Sequence, residues 1–395
     1  MLNVICVSRF APDPIGHGGH HRAYQVVNDL QAAVGQANVW VYEPQLILTQ
    51  PAAPRQPGGP LGLRQRLALL LRFLRYKGNP YRFLSYILSN TFAGRSTFGR
   101  YSGEHYERFL KQVPQPAVGF VDHPAQSGFI EINRRHGLPT VACPQNLETL
   151  DLSDLDPEQE WSRYAFIADV VAELKILAAC DERLFISRVE AGLAGGLGLA
   201  NRYYPYLPVG AIRERLMRQR RLREGRPPDS RLYLLLGSAA HASTREGLSW
   251  FIRNATAAGL PPGVRVHVAG LETERLLPPG ASVPGLELDG WLEQDALDEL
   301  LGRARAVLVP QRRGFGALTR LPELACAGIP AYVSAHATHA LDLPPGLAAI
   351  EDDWPAWQRC LECAAQQAEP PSVADYEHWE ARKPRPIPAV LHRYQ

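Results

Sequence analysis

The most informative segment of the sequence is VLVPQRRGFGALTRLPELACAGIPAYVS, Val307–Ser334. Its first apolar residues end at Pro310, a loop with Gly314 and Gly316 follows, and apolar residues at helical spacing begin near Thr319. The turn AGIP and a second apolar run complete the stretch. A strand, a loop, a helix and a further strand are therefore predicted, the pattern of an α/β protein with a parallel sheet.

The same alternation extends through the rest of the chain. Apolar strand-like runs occur at 2–8, 37–42, 117–121, 139–142, 182–187, 231–238, 264–270 and 306–310. The pattern is interrupted between about 203 and 230 by YYPYLPVG and by an Arg-rich run that we expect to be exposed. We place a domain boundary there, with domains at 1–205 and 206–372. The irregular spacing disfavours a single eight-stranded barrel and favours two doubly wound, Rossmann-like domains facing each other across a deep cleft.

Composition excludes several classes of protein. A chain of 395 residues is too long for a small disulfide-stapled domain, and a net charge of +2 marks no general nucleic-acid binder, so we expect no nucleic-acid partner. The six cysteines are scattered through apolar stretches, as in reduced cytosolic proteins. Cys360 and Cys363 have the spacing of a redox or zinc pair, but they lie in a helix-like run and fit the buried face of a helix better.

Residues 64–77 form a basic amphipathic run, with leucines between its cations. We interpret it as a surface helix of a soluble domain. The alternative is a peripheral contact with the inner face of the membrane. No apolar run reaches the roughly 18 residues of a membrane span, and the chain opens directly on a strand-like run, so we expect a cytoplasmic protein.

The loop before the helix at Thr319 has the composition of a phosphate site. Gly314 and Gly316 let the backbone approach a ligand closely, and the helix start offers unpaired N–H groups to an anion. Arg320 can add a charge-assisted contact, and Glu323 can accept hydrogen bonds from the two hydroxyls of a ribose. Together these residues fit a nucleotide diphosphate.

Two further features have less specific explanations. His17, His20 and His21 invite a metal hypothesis, but no carboxylate or cysteine is spaced to complete the site, so we expect no metal and interpret the segment as a flexible acceptor loop. The glycine-rich run at 191–200 contains no cation. We interpret its glycines as allowing close packing of a helix.

The order of these segments resembles the GT-B-fold glycosyltransferases, in particular the large retaining glycosyltransferase family 4 (group 1). Besides the stretch at 307–334, five segments contribute, in chain order: GHGGHHRAYQVVNDL (16–30), CPQNLETL (143–150), CDERLFISRVEA (180–191), YLLLGSAAHASTREGLSWFI (233–252) and LELDGWLEQDALDELLGRARAVLVP (286–310). The resemblance thus covers nearly the whole chain. It also implies that 373–395 packs back on the first domain, as the family's terminal helices do.

The resemblance implies roles for particular residues. His123 is expected to touch the donor sugar, and Arg320 takes the place of the family's usual lysine; both are candidate catalytic residues. The donor-binding candidates are Gly18, Gly19, Ser238, Arg245, Gly314, Phe315, Gly316, Arg320 and Glu323. The acceptor-side candidates are His20, Arg22 and Glu148. Phe315 stands where many members of the family have a glutamate.

The implied function is a retaining glycosyltransferase of the hexosyltransferase type. It would move a sugar from a nucleotide sugar to a glycan, lipid-linked or small-molecule acceptor, with no cofactor and no metal. Phe315 supports a second hypothesis, a non-catalytic GT-B scaffold that binds nucleotide or glycan or serves as a subunit of a partner enzyme. A third, a GT-B sugar-nucleotide epimerase, would need a carboxylate placed for elimination, and Glu148 is the only candidate.

Overall fold

The computed structural model describes residues 2–42, 103–123, 127–152, 170–225, 228–362 and 369–395. The predicted basic helix at 64–77 and Cys363 lie outside these ranges. Within them, no helix combines the length and the apolar character needed to cross a membrane. Both interpretations of 64–77, a surface helix and a peripheral membrane contact, therefore stay predictions.

The chain divides into two compact units. The first unit contains Met1–Phe10, Leu30–Leu184 and Ala389–Gln395, and the second contains Ala11–Asp29 and Phe185–Pro388. The first helix is divided between them: its residues up to Asp29 belong to the second unit, and those from Leu30 belong to the first. The domain limits predicted from the sequence stay a prediction.

The first sheet has the strand order β2-β1-β3-β4-β5-β6, and its pairs from β1 to β5 are parallel. Its strands are β1 (Asn3–Val7), β2 (Val39–Tyr42), β3 (Ala117–Val121), β4 (Thr140–Ala142), β5 (Glu182–Phe185) and β6 (Arg202–Tyr203). The helices between them are α1 (Gly18–Val34), α2 (Gly103–Leu110), α3 (Ser127–Arg135), α4 (Glu148–Leu152) and α5 (Arg188–Gly196), and residues 170–178 are also helical. The strand order reverses direction between β1 and β3, which creates a crevice at their carboxyl ends.

The second sheet is parallel and has the order β12-β11-β10-β7-β8-β9. Its strands are β7 (Asp229–Leu236), β8 (Arg265–Ala269), β9 (Leu286–Gly290), β10 (Ala304–Val309), β11 (Ala331–Ser334) and β12 (Leu347–Ile350). The helices are α6 (Gly210–Glu224), α7 (Ala242–Ala258), α8 (Gln294–Arg303), α9 (Arg320–Cys326), α10 (Ala335–Thr338), α11 (Trp354–Glu362), α12 (Val373–Ala381) and α13 (Ile387–Leu391). Here the order reverses between β7 and β10.

Both faces of the second sheet are covered. Leu234 and Val307 belong to one apolar cluster, while their chain neighbours Leu235 and Leu308 belong to another on the opposite face. Successive side chains of a strand point to opposite faces, so the continuous apolar runs are those of a sheet with helices on both sides. Each fully buried leucine or valine contributes about 1.5–3 kcal/mol. The predicted α/β class with two doubly wound sheets is confirmed.

The Arg-rich run is exposed only in part, in contrast to the prediction. It forms α6, in which Arg220 and Arg223 are buried at 3% and 6% exposure. The Arg220 guanidinium donates to the carbonyls of Ala325, Cys326 and Pro371. The first two carbonyls lie at the end of α9, where backbone acceptors lack partners inside the helix and a cation is favoured. The expected exposure was wrong because these arginines satisfy backbone carbonyls.

The interpretation of the glycine-rich run was wrong for three of its four glycines. A Cβ atom built on Gly192, Gly196 or Gly198 would meet nothing within 4 Å, whereas one on Gly195 would lie 3.4 Å from Nδ2 of Asn201. Close packing of α5 against a neighbour therefore does not require these glycines.

Candidate functional site

The reversal point of the second sheet is occupied by Arg320, the first residue of α9. Its Nη1 donates to the carbonyl of Leu236, the last residue of β7. Its Nη2 lies 3.5 Å from Oε1 of Gln311, two residues after β10. Parallel α/β proteins bind ligands at the carboxyl ends of the strands on either side of such a reversal. The guanidinium thus bridges the two chain ends that line the crevice.

The charge of Arg320 is not balanced by a carboxylate within the described residues. No ion pair involves it there, and its Nε is buried without a hydrogen-bond partner in the same part of the chain. Burial lowers the pKa of the guanidinium to about 10, which leaves it a cation at neutral pH. A desolvated cation without a counter-charge is a favourable partner for an anion.

Glycine at position 237 allows Arg320 to lie against the end of β7. A Cβ on Gly237 would lie 2.9 Å from Nη1 of Arg320 and 2.4 Å from Cγ2 of Thr244. The predicted donor residue Ser238 follows, and its Oγ accepts from the backbone of Ala240 at 3.3 Å. At Gly237 the Arg320 guanidinium is therefore bordered by backbone.

Arg245 lies on α7 and not in the loop after β7. Its side chain is exposed, and Nη1 donates to the carbonyl of Ala239 at 3.3 Å. This bond holds the turn that precedes the helix. The phosphate contact expected of Arg245 stays a prediction.

The predicted glycine loop is fixed at two backbone carbonyls. Oγ of Ser187 donates to Phe315 at 2.7 Å, and Nε2 of His336 donates to Gly314 at 2.7 Å. Gly314 has a φ of +82°, a conformation that favours glycine. The Phe315 side chain is 38% exposed with its ring 5.5 Å from that of His336, and Gly316 follows in the same loop.

Glu323 accepts two hydrogen bonds at the same oxygen. Its Oε1 lies 2.6 Å from the hydroxyl of Tyr206 and 2.7 Å from Nδ1 of His21. The start of α1 approaches α9 so closely that a Cβ on Gly18 would lie 2.5 Å from Oγ1 of Thr319. The structure therefore places Gly18 and Glu323, both predicted donor-binding residues, in neighbouring helices. His21 and Tyr206, which contact Glu323, were not predicted as donor-binding residues.

The other predicted residues of the first loop are engaged locally. The N–H of Gly19 donates to Nδ1 of His17, and Nδ1 of His20 donates to the carbonyl of Ala11 at 2.9 Å. Arg22 is 1% exposed, with Nη2 donating to Tyr204 at 2.9 Å and the guanidinium 4.0 Å from the tyrosine ring. Arg22 thus joins α1 to the segment before α6, and its predicted acceptor contact stays a prediction.

The three histidines at 17, 20 and 21 do not form one group. The rings of His17 and His20 contact each other, with centroids 4.4 Å apart, whereas Nδ1 of His21 faces Glu323. A group that does bring metal ligands together is His267, Glu287 and Asp289, whose ligand atoms lie within 4.8 Å of one another. His267 faces Asp289 through Nδ1 at 3.0 Å and Glu287 through Nε2 at 3.6 Å, so its two nitrogens point to different carboxylates. That the protein needs no metal stays a prediction.

The first unit has a polar cluster of its own at the reversal between β1 and β3. The carboxylate of Asp122 accepts from Oγ of Ser8 at 2.6 Å, from the N–H of Arg9 at 2.9 Å and from Gln145 at 3.1 Å. Burial raises the pKa of Asp122, and these hydrogen bonds oppose the rise. Asp122 therefore holds together the two segments that leave β1 and β3.

His123 and Glu148, both predicted from the sequence, meet in this cluster. Nε2 of His123 lies 2.8 Å from Oε1 of Glu148 and also contacts Nη1 of Arg9. One ring nitrogen cannot donate to a carboxylate and accept from a guanidinium at the same time. The imidazole therefore has two alternative hydrogen-bonding states, one with each neighbour, which suits a group that binds a polar ligand.

Glu173 was not predicted from the sequence. Its carboxylate is 1% exposed and accepts from the backbone N–H groups of Glu148 at 2.8 Å and Thr149 at 3.1 Å. Burial raises the pKa of Glu173 to about 7, although the bonds from Thr149 and Glu148 oppose this. Glu173 thus fixes the backbone of the residue that faces His123.

The raised pKa of Glu173 predicts a loss of stability as the pH rises. The folded state favours the protonated acid, so its stabilisation is complete below the ordinary pKa of 4.5 and is lost as the pH passes about 7. We expect this residue to lower the free energy of unfolding by up to about 3 kcal/mol from about pH 5 to about pH 8. Denaturant unfolding of the wild type and Glu173→Gln should show a smaller fall in the variant. If the free energy of unfolding falls equally with pH in the wild type and in Glu173→Gln, the prediction is contradicted. Glu131→Gln, at an exposed position, serves as the control.

Solved structures resemble this chain over nearly its full length. WaaG, a glycosyltransferase involved in lipopolysaccharide biosynthesis, has a TM-score of 0.55 at 13% identity, with 99% of this chain and 98% of WaaG covered. The α,α-trehalose 6-phosphate synthase of Burkholderia multivorans gives 0.53 at 12% identity, covering 97% and 93%. HepE of Anabaena, in complex with UDP, gives 0.51 at 10% identity, covering 99% and 98%.

No protein-family model matches the chain, and no curated protein matches it by sequence. At identities this low, the similarity to solved structures bears on the fold alone. It agrees with the two parallel six-stranded sheets. The chain has the two doubly wound α/β units of a GT-B fold.

Proposed function

We propose that this protein is a glycosyltransferase that uses a nucleotide-diphosphate sugar as its donor. The observation that carries the proposal is the desolvated Arg320 guanidinium, which lies at the reversal point of the second sheet without a carboxylate partner among the described residues. A diphosphate supplies the missing negative charge. The likeness to WaaG and to the trehalose 6-phosphate synthase supports glycosyl transfer as the reaction.

The second unit offers contacts that we propose for the diphosphate and the ribose of the nucleotide. Arg320 and the backbone at 237–238 border the space for the diphosphate, with Gly314–Gly316 as the neighbouring loop. Glu323 has its Oε1 occupied by its own chain, so Oε2 is the oxygen proposed to accept from the ribose hydroxyls. HepE is a complex with UDP, and similar trehalose-phosphate synthases are UDP-forming. Uridine is therefore the first base to test.

The chemical step proposed is transfer of a hexose with retention. The bond from the anomeric carbon to the diphosphate oxygen breaks, the acceptor oxygen bonds to that carbon on the same face, and the acceptor proton passes to the leaving phosphate. Arg320 stabilises the charge that develops on the diphosphate, a contribution of positioning and electrostatics. His123 of the first unit is proposed to contact the sugar, with Glu148 setting its ring orientation. The acceptor is a glycan, a lipid-linked molecule or a small molecule in the cytoplasm.

Glu323→Gln tests the ribose contact. The amide keeps the shape of the side chain and an oxygen that can accept from Tyr206 and His21, but it removes the charge. A hydrogen bond to a charged group contributes about 1.5–3 kcal/mol, so we expect UDP affinity to fall at least about tenfold in calorimetric titration. Glu299→Gln, on an exposed position of α8, should bind UDP as the wild type does. Unchanged affinity in Glu323→Gln would place the ribose elsewhere.

Turnover separates the enzyme from the scaffold hypothesis. We expect the wild type to release UDP from one or more UDP-hexoses, slowly with water and faster when the correct acceptor is present. The anomeric configuration of the product, read by NMR, tests retention. Tight UDP binding without release from any sugar nucleotide would favour a non-catalytic scaffold, for which Phe315 at a position often held by glutamate is the relevant observation.

A further inference from the structure

His21 forms a buried polar contact in the second unit, and the proposed function has so far given it no role. Its Nδ1 is 2.7 Å from Oε1 of Glu323, and the side chain is almost fully enclosed. Tyr206 approaches the same oxygen at 2.6 Å. Both residues are buried, at 5% and 3% exposure. Two enclosed donors from different segments of the chain thus converge on one carboxylate oxygen.

The proton positions in this contact follow from its surroundings. Burial, followed by the charge of Glu323, raises the pKa of Tyr206 far above its usual range, so the phenol keeps its proton and donates. Nε2 of His21 is buried and has no hydrogen-bond partner among the described residues. A proton on Nε2 would be a buried donor without an acceptor, which is costly. In the neutral imidazole the single proton therefore lies on Nδ1 and faces Glu323.

Hydrogen bonds next to His21 hold together the two segments that carry His21 and Tyr206. The next residue, Arg22, donates to the carbonyls of Tyr204 and Pro205, in the segment that carries Tyr206. Tyr24, one turn further along α1, accepts from the N–H of Ala211 at 3.3 Å. The first turns of α1 and the segment before α6 are therefore tied together on both sides of Glu323's donors.

The other oxygen of Glu323 has a different environment. No described residue forms a hydrogen bond to Oε2, and the side chain keeps 15% of its surface exposed. A carboxylate held at one oxygen by two donors cannot rotate without breaking both bonds. Its remaining oxygen is then presented in a fixed direction, which lowers the ordering cost of binding a ligand hydroxyl.

We propose that His21, which donates from Nδ1–H, and Tyr206 are positioning residues that orient Glu323 to accept a hydroxyl of the bound nucleotide. The ligand part of this inference rests on the proposed function, whereas the tautomer does not. With the proton on Nδ1, Nε2 of His21 is left buried and without a hydrogen-bond partner among the described residues.

The tautomer is tested by NMR on the full chain labelled with 15N-histidine. Two-bond proton–nitrogen correlations at about pH 8 distinguish the two neutral tautomers, and the signal that disappears in His21→Asn identifies His21. We expect the Nδ1–H form. The Nε2–H form would overturn the inference, because that tautomer cannot donate to Glu323.

Binding measurements test the positioning role. An asparagine Nδ2 reproduces the place of the imidazole Nδ1–H, whereas leucine fills the space without a donor. We expect UDP affinity to fall about tenfold in His21→Leu and Tyr206→Phe, and to stay within about threefold of the wild type in His21→Asn. A structural role alone would lower the melting temperature of all three variants without this rescue pattern.

The two hypotheses fail in different ways. A wild type that binds no nucleotide diphosphate overturns the proposed function, and the NMR result still decides the state of His21. A wild type that binds UDP, together with His21→Leu and Tyr206→Phe that bind it equally well, overturns the positioning role and leaves the proposed function standing. Exposed His136→Leu in the first unit serves as the matched histidine control.

Discussion

Arg320→Ala is expected to lower the affinity for UDP about 100-fold. The guanidinium is a charged group that contacts both chain ends of the crevice, through Leu236 and Gln311. Its hydrogen bonds to a diphosphate would be charge-assisted on both sides, at the upper end of the range of about 1.5–3 kcal/mol. Calorimetric titration of the wild type and the variant with UDP measures the effect.

Two further variants make the Arg320 prediction specific. Arg320→Lys keeps the charge but not the planar fork of donors, so we expect an affinity between those of the wild type and Arg320→Ala. Arg253→Ala removes an exposed cation from α7 and should leave UDP binding unchanged. If Arg320→Ala binds UDP as the wild type does while its melting temperature is unaltered, the diphosphate does not lie at this crevice.

The sequence predicted the parts of the site that lie close together in the chain. Gly314, Arg320 and Glu323 fall within ten residues, between a strand and a helix whose apolar patterns are clear. The strand before them is buried on both faces, so its run is continuous and easy to identify. Local spacing was therefore sufficient to place the loop, the cation and the carboxylate between a strand and the start of a helix.

Contacts between distant segments were not predictable in the same way. His21 and Glu323 are 302 residues apart, and Tyr206 reaches the same carboxylate across 117 residues. Ser187 reaches Phe315 across 128 residues. Nothing in the local pattern of a histidine, tyrosine or serine indicates such a partner, because the pairing depends on how the elements pack. Only the tertiary structure reveals which side chains orient Glu323 and fix the loop.

Charge patterning also misled the sequence interpretation of α6. A run rich in arginine usually marks a solvated face, and Arg221 is indeed exposed. Arg220 and Arg223 are buried because carbonyls at the ends of α9 and α8 accept their hydrogen bonds. The sequence does not show which helix ends lie next to α6. Buried arginines of this kind are thus recognised only after the packing is known.

Gly247→Ala is expected to destabilise the second unit by about 2 kcal/mol, although alanine is the better helix former. A Cβ on Gly247, within α7, would lie 1.9 Å from the carbonyl oxygen of Pro310 and 2.8 Å from its carbon. The atoms in the way are backbone at the end of β10, which cannot move without disturbing the strand. Overpacking of this kind costs about 1–3 kcal/mol and occasionally more, which exceeds the gain of about 1 kcal/mol from helix propensity.

Gly192→Ala is the matched control for Gly247→Ala, because it makes the same substitution inside a helix where a Cβ meets nothing within 4 Å. There the propensity gain should stand alone and raise the free energy of unfolding by about 0.5–1 kcal/mol in denaturant unfolding. Gly247→Ala should also weaken UDP binding, since Gln311, a partner of Arg320, directly follows Pro310. Stabilisation by both substitutions would mean that α7 does not contact the end of β10. The residues after β10 would then not line the crevice at Arg320 as described.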